Sequence, residues 1–203
     1  MYTLYDFLPS GNGYKVRLLL SHLRIPYTLI EKDILSGETR TADFLELNSS
    51  GRVPVLQLEN GECLAESNAI LMYLGEGTAF LSDDRLLKAR TLQWMFFEQY
   101  NHEPNIAVVR FWKHFGQITA EQEALLPAKV KAGYAALDVM EQQLRKTDFL
   151  VGGKYSIADI ALYGYTHVAH EGGFDLSDYP AIKAWLLRVQ SRPNHTLITD
   201  KKQ

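Results

Sequence analysis

Apolar and polar positions change rhythm along the chain, and the change falls near residue 80. Tyr2-Thr3-Leu4-Tyr5-Asp6-Phe7 is rich in aromatic and β-branched residues and reads as a strand. Pro9-Ser10-Gly11-Asn12-Gly13 is a turn. Val16, Leu19, Leu20 and Leu23 then recur at helical spacing, which predicts a helix from about Asn12 to Leu23, ended by Arg24-Ile25-Pro26. Tyr27 to Glu31 reads as a second strand, and Phe44, Leu45 and Leu47 as a short helix before the turn Asn48-Ser49-Ser50-Gly51. Val53 to Leu58 and Glu62 to Leu64, joined through Asn60-Gly61, form a hairpin pattern. Glu66-Ser67 opens a helix through Ile70, Leu71 and Leu74. The order is βαβαββα, with a parallel pair from the first crossover and an antiparallel pair from the hairpin.

From about Asp83 onward every periodic segment is helical: Leu86 to His102, Ala120 to Lys146, Ser156 to His170 and Ile182 to Gln190. Gly75-Glu76-Gly77-Thr78 is the natural break. The expected organisation is an α/β domain over residues 1–76, a linker over 77–82 and an all-helical domain over 83–203.

Composition narrows the class. Of 203 residues, 46% are hydrophobic and 22% charged, so the chain can bury a sizeable core. A net charge of −3 gives no basic field for a phosphate backbone, which argues against nucleic-acid binding. The single cysteine, Cys63, excludes an intrachain disulfide framework. The N-terminus has no signal-peptide pattern and no apolar run approaches a membrane span, so the expected setting is cytoplasmic and away from membranes.

Three short motifs carry candidate chemistry. Ser10 and Asn12 stand at the start of the first helix, where unpaired N–H groups and the positive dipole end favour an anion. The plainer reading makes either one an N-cap. Arg52-Val53-Pro54 precedes a strand; a cis Pro54 would turn the Val53 N–H and C=O outward to pair with an extended peptide-like ligand, whereas the plainer reading is an edge-strand proline. Glu66-Ser67-Asn68 starts another helix, where Ser67 and the free N–H groups suit a carboxylate and Glu66 suits its ammonium. Each is weak alone, but one βαβαββα unit brings all three to one edge. Other patterns fail: His102-Glu103 has Ile106 where a second zinc-site histidine would stand, and His167, His170 and Glu171 read as a helix end. No metal site is expected.

The run Ser10-Gly11-Asn12-Gly13-Tyr14-Lys15-Val16-Arg17, the Arg52-Val53-Pro54 turn and Glu66-Ser67-Asn68-Ala69-Ile70-Leu71 together resemble the glutathione transferase superfamily. Phe149 to Asp159 resembles its helical-domain capping box, with Ser156 as cap and Asp159 reaching back. The resemblance covers essentially the whole chain. It implies a thioredoxin-like first domain, an all-helical second domain and glutathione as co-substrate. By the same resemblance Glu66 and Ser67 hold the γ-glutamyl end, Val53 before Pro54 pairs with the cysteinyl unit, and Arg52 lies near the glycyl carboxylate. Thr39 falls where relatives place a longer polar residue for that carboxylate, with Arg40 as a substitute. Tyr5 lies within the first strand, and the position of a beta-class cysteine is Ser10. Ser10 resembles the serine of theta-, zeta- and delta-like members, and Asn12 the asparagine of the bacterial Nu class; Ser10 leads and Asn12 comes second as the catalytic residue.

The chemistry implied by the resemblance is thiol activation. A charge-assisted hydrogen bond contributes about 1.5–3 kcal/mol and a helix end about 0.3–1, enough to lower a thiol pKa by about one to two units. The thiolate would attack a small apolar electrophile in a pocket between the domains, for which Tyr100, Pro104 and Arg110 are expected contacts and Trp94 and Phe97 read as core. Two alternatives stand beside conjugation: Asn12-based reduction of disulfides or peroxides, and a non-enzymatic binding or regulatory protein of the same fold. The resemblance also implies a homodimer.

Overall fold

β1 (Tyr2–Asp6) lies in the middle of a four-stranded sheet of order β2-β1-β3-β4. The computed structural model describes residues 1–116 and 118–201. After β1 the chain enters α1 (Gly11–Leu23), whose face from Val16 to Leu20 is buried, and returns through β2 (Tyr27–Glu31), parallel to β1 with Leu4 opposite Leu29. A short 3-10 turn (Glu38–Arg40) and α2 (Ala42–Leu47) lead to the hairpin β3 (Val55–Gln57) and β4 (Cys63–Ala65), with Leu56 opposite both Leu4 and Leu64. α3 (Ser67–Gly75) comes next and packs on α1. The mixed sheet with its helices is the βαβαββα arrangement the pattern predicts and the thioredoxin-like first domain the resemblance implies; the first hairpin strand starts later than expected, at Val55, after Pro54, which cannot donate to a ladder.

One buried ion pair anchors the start of α1. Arg17 Nε donates to Asp6 Oδ2 at 2.9 Å, with side-chain exposures of 1% and 0%. Burial pushes the Asp6 carboxyl up to about 7 in spite of the guanidinium beside it. The same carboxyl lies against Gly13, where a Cβ would come within 1.6 Å of Oδ1, so no larger residue fits there without displacing Asp6.

The second unit is helical: α4 (Arg85–Phe97), a π-turn (Glu98–His102), α5 (Glu103–Phe115), α6 (Ala120–Leu144), α7 (Ile157–Thr166), a 3-10 turn (Ala169–Gly172) and α8 (Pro180–Gln190). The helix expected to end at His102 instead continues to Phe115. Pro104 falls in the first turn of α5, where its missing N–H costs little, and the wider π-turn just before it absorbs the change of register. The helix expected to reach His170 stops at Thr166 and tightens into the 3-10 turn. Asp159 reaches back as expected, accepting from the Ser156 N–H at 3.0 Å and the Ser156 hydroxyl at 3.1 Å. Its other oxygen takes Leu150 N–H and Trp185 Nε1–H, both at 3.0 Å.

The chain divides into Met1–Glu76 with Pro193–Gln203, and Gly77–Arg192. The tail therefore joins the first unit, not the helical one as the expected span 83–203 had it; Lys202 and Gln203 lie outside the described residues. The reason is hydrogen bonding. α1 side chains donate to tail carbonyls, Tyr14 to Thr196 at 2.7 Å and Arg17 to Ile198 at 3.0 Å. Among the described residues no helix is long and apolar enough to cross a membrane.

Candidate active site

Ser10 ends the turn after β1. Its backbone is extended (φ −70°, ψ 123°), its N–H donates to the Phe7 carbonyl at 2.7 Å, and its Oγ accepts from the Gly13 N–H at 3.4 Å as the N-cap of α1. Accepting uses a lone pair, so the hydroxyl proton can still be donated elsewhere. Asn12 lies two residues on and is half-buried. Its Oδ1 accepts from Lys15 Nζ at 2.8 Å and from the Ser67 hydroxyl at 3.3 Å. Lys15 Nζ in turn lies 3.4 Å from Ser67 Oγ, and the lysine is 0% exposed. Ser67 is the first residue of α3 and is buried. The N-terminal turns of α1 and α3 therefore meet around one ammonium group. Two positive dipole ends and a buried cation make this a place of positive potential.

Glu66 precedes Ser67 and has φ 66°, ψ 109°, a backbone region costly for any residue with a Cβ. It occupies the cap position of α3 without capping it through its side chain, and the carboxylate is exposed. The Val53–Pro54 peptide bond is cis. Val53 is half-buried and stands outside the ladder, whose pairing starts at Val55. Arg52 is exposed, with its carbonyl accepting from Asn48 Nδ2 at 2.8 Å. Thr39 is buried at 3% exposure, and Arg40 donates to the Ser50 carbonyl at 3.0 Å while its guanidinium lies over Gly51.

The structure thus joins Asn12 and Ser67 directly, with Ser10 and Glu66 adjoining them in the chain. Lys15, which completes the cluster, was not singled out from sequence; a lysine within a helix reads as a solvent-facing charge. Its signal was its spacing, three residues after Asn12 and so on the same face. Cys63 lies in β4, and burial pushes its thiol up, away from the reactive range. In the helical unit Tyr100 is 87% exposed on the π-turn, Pro104 passes its carbonyl to Lys129 Nζ at 2.8 Å, and Arg110, 4% exposed, donates to Glu171 Oε2 at 2.6 Å. Trp94 and Phe97 pack edge to face at 5.2 Å.

The model of the glutathione S-transferase N-terminal domain matches residues 1–76, and that of the C-terminal domain residues 96–193. The chain belongs to the glutathione S-transferase family. A solved glutathione S-transferase from Pseudomonas fluorescens Pf-5 is 53% identical, with a TM-score of 0.95 over 98% of this chain and 99% of that one. The disulfide-bond oxidoreductase YfcG of Escherichia coli K12 is 33% identical over 92% of this chain and 89% of its own. A structure of Ure2p in complex with glutathione is 25% identical, with a TM-score of 0.85 over 95% of this chain and 90% of that one. In this glutathione S-transferase family member, the cluster on α1 and α3 therefore lies within the part matched by the N-terminal domain.

Proposed function

We propose that this chain binds glutathione where the N-termini of α1 and α3 meet and holds its thiol as the thiolate for attack on small apolar electrophiles. The observation that carries this reading is the hydrogen-bonded cluster of Asn12, Lys15 and Ser67, which concentrates positive potential beside Ser10. Family membership and the glutathione-bound relative support the choice of ligand. In this reading Ser67 and the α3 N-terminus take the γ-glutamyl carboxylate, and Glu66 takes its ammonium. The Val53 N–H and C=O pair with the cysteinyl unit, and Arg52 serves the glycyl carboxylate, with Thr39 and Arg40 nearby in the chain's fold order. Ser10 and Asn12 donate to the sulfur. The thiolate forms a carbon–sulfur bond, and the leaving group departs with its electron pair. Of the three side chains proposed for the electrophile, Tyr100 has the open surface; Arg110 is held by Glu171.

A second reading is glutathione-dependent disulfide reduction. It is favoured by the similarity to a protein named a disulfide-bond oxidoreductase and by the asparagine in the cluster. Bound glutathione thiolate would attack a disulfide, releasing one thiolate, and a second glutathione would resolve the mixed disulfide as oxidised glutathione. Both readings are compatible with a homodimer, for which the exposed Tyr73 on α3 and Phe96 on α4 supply apolar surface.

Calorimetric titration with reduced and oxidised glutathione, together with a conjugation assay, tests the proposal. Saturable binding of the reduced form is expected, with conjugation lowered roughly a hundredfold to a thousandfold by Ser10→Ala or Asn12→Ala, the range of losing one donor to a developing anion. Tighter binding of the oxidised form, with thiol-disulfide turnover, would move the reading to reduction. Binding of neither would end it.

A further inference from the structure

We propose that Lys15 is a positioning residue that acts through Asn12, fixing which end of the Asn12 amide faces the glutathione sulfur. The inference rests on the reading of this cluster as the seat of the glutathione thiol. Its basis is a matter of donors and acceptors. An ammonium group has only donors to offer, so whichever Asn12 atom faces Lys15 must be the oxygen. That atom is 2.8 Å from Nζ. The Ser67 hydroxyl donates to the same oxygen at 3.3 Å. With Oδ1 held inward by two donors, the amide plane leaves Nδ2 on the other side, and among the described residues no group accepts from it. Asn12 is half-buried, so this end of the amide is open to a ligand.

The consequence concerns which chemistry the site favours. A free asparagine can turn either face to a neighbour, and an oxygen turned toward a thiolate would repel it. Locked by Lys15, Asn12 can only donate, and a donor favours the thiolate over the thiol. Lys15 is fully buried, so holding its charge in place is costly unless its bonds are made, and this ties its geometry to that of Asn12 and Ser67. An i,i+3 spacing on one helix makes the pair insensitive to small movements elsewhere.

The test reads the thiolate directly. Ultraviolet absorbance of the thiolate of bound glutathione is measured against pH in the full chain, for wild type, Lys15→Met, Lys15→Arg, Asn12→Ala and the double variant Lys15→Met/Asn12→Ala. In wild type the midpoint is expected below that of the free thiol. Lys15→Met should raise it by about one pH unit, which for a wild-type midpoint of about 6.5–7.5 is a loss of thiolate at pH 7 of about threefold to eightfold, and Lys15→Arg should restore part of the shift. In the Asn12→Ala background the further change Lys15→Met should move the midpoint by clearly less than in the wild-type background, because the residue it positions is gone and only the direct field of the ammonium is then lost. A Lys15→Met shift that persists in full without Asn12 would overturn the positioning role in favour of a direct charge effect. No shift at all, with wild type still holding a low midpoint, would overturn the inference and spare the parent reading. A wild-type midpoint equal to that of free glutathione would overturn that parent reading instead. Asn12→Asp covers the case in which Lys15→Met fails to fold: it keeps the partner of Lys15 but replaces the donor by an oxygen, and should raise the midpoint above that of wild type. An Asn12→Asp midpoint at or below wild type would overturn the donor role assigned to Asn12.

Discussion

Glu66 holds a backbone conformation that its neighbours in α3 do not need. A φ of 66° with ψ of 109° at a residue with a Cβ costs on the order of 1–3 kcal/mol, and its side chain makes no capping bond that would offset it. The strain is understandable if the exposed carboxylate serves a ligand, since the same twist sets Ser67 at the helix start. Replacing Glu66 by glycine separates the two effects. Glu66→Gly should leave thermal stability equal to or up to about 1 kcal/mol above wild type, because glycine takes positive φ without penalty. It should also weaken glutathione binding by about tenfold or more through loss of a charge-assisted bond to the ammonium. Differential scanning calorimetry and isothermal titration measure the two separately. A variant that binds glutathione as well as wild type would remove Glu66 from the proposed site.

At the scale of elements, α7 is held at its start by a buried carboxylate serving four donors. Burial pushes Asp159 up to about 6, and the hydrogen bonds from Leu150, Trp185 and Ser156 only partly oppose it. The folded state therefore keeps a proton that the unfolded chain, with an ordinary carboxylate near 3.8, has already released. Between about pH 4 and 6 unfolding releases that proton, so this group's contribution to stability falls as pH rises and is constant above. A difference of about two pKa units corresponds to about 3 kcal/mol. Asp159→Asn lacks the titration, so the stability gap between wild type and variant should narrow by up to that amount from pH 4 to 6 in urea unfolding. A gap that widens over the same range would mean that the four donors outweigh burial.

This element also shows what a sequence discloses. The Ser156–Asp159 box, the hairpin through Asn60-Gly61 and the parallel crossover were legible because each has a local signature of period, spacing or turn residue. The partners of Asp159 on Leu150 and Trp185 were not, since nothing local ties residue 185 to 159. The helical run goes on past the expected end at His102 because a π-turn places Pro104 in the first turn of α5, where a proline is tolerated. At the site, Ser10, Asn12 and Ser67 stood out as polar groups at helix starts, whereas Lys15 is a long charged side chain whose burial depends on α3 packing against α1.

Across the first unit as a whole, the tail is the part least visible in the sequence, and the reason is chemical. Residues 193 to 200 are recognised mostly through their carbonyls, which every residue has; the Tyr14 hydroxyl also lies 3.3 Å from His195 Nε2. Tyr14, Arg17 and Ser21 recur along one face of α1 and donate to Thr196, Ile198 and Asn194, at 2.7, 3.0 and 2.8 Å. Arg17 also reaches the Asp200 carbonyl at 3.2 Å, and Lys201 pairs with Glu31 at 2.8 Å. Ordering such a segment costs about 1–2 kcal/mol per residue, and a net hydrogen bond returns only about 0.5–1.5, so the strap is held by many small terms acting together. A mutant cycle isolates one of them. Tyr14→Phe in the full chain should cost about 1 kcal/mol, a fall of about 2–4 °C in melting temperature for a chain of this size. In a chain ending at Arg192, which should itself melt lower, Tyr14→Phe should cost no more than about a few tenths of a kcal/mol, because the carbonyl it serves is gone. Equal costs in both backgrounds would show that the Tyr14 hydroxyl draws its stability from some group other than the tail.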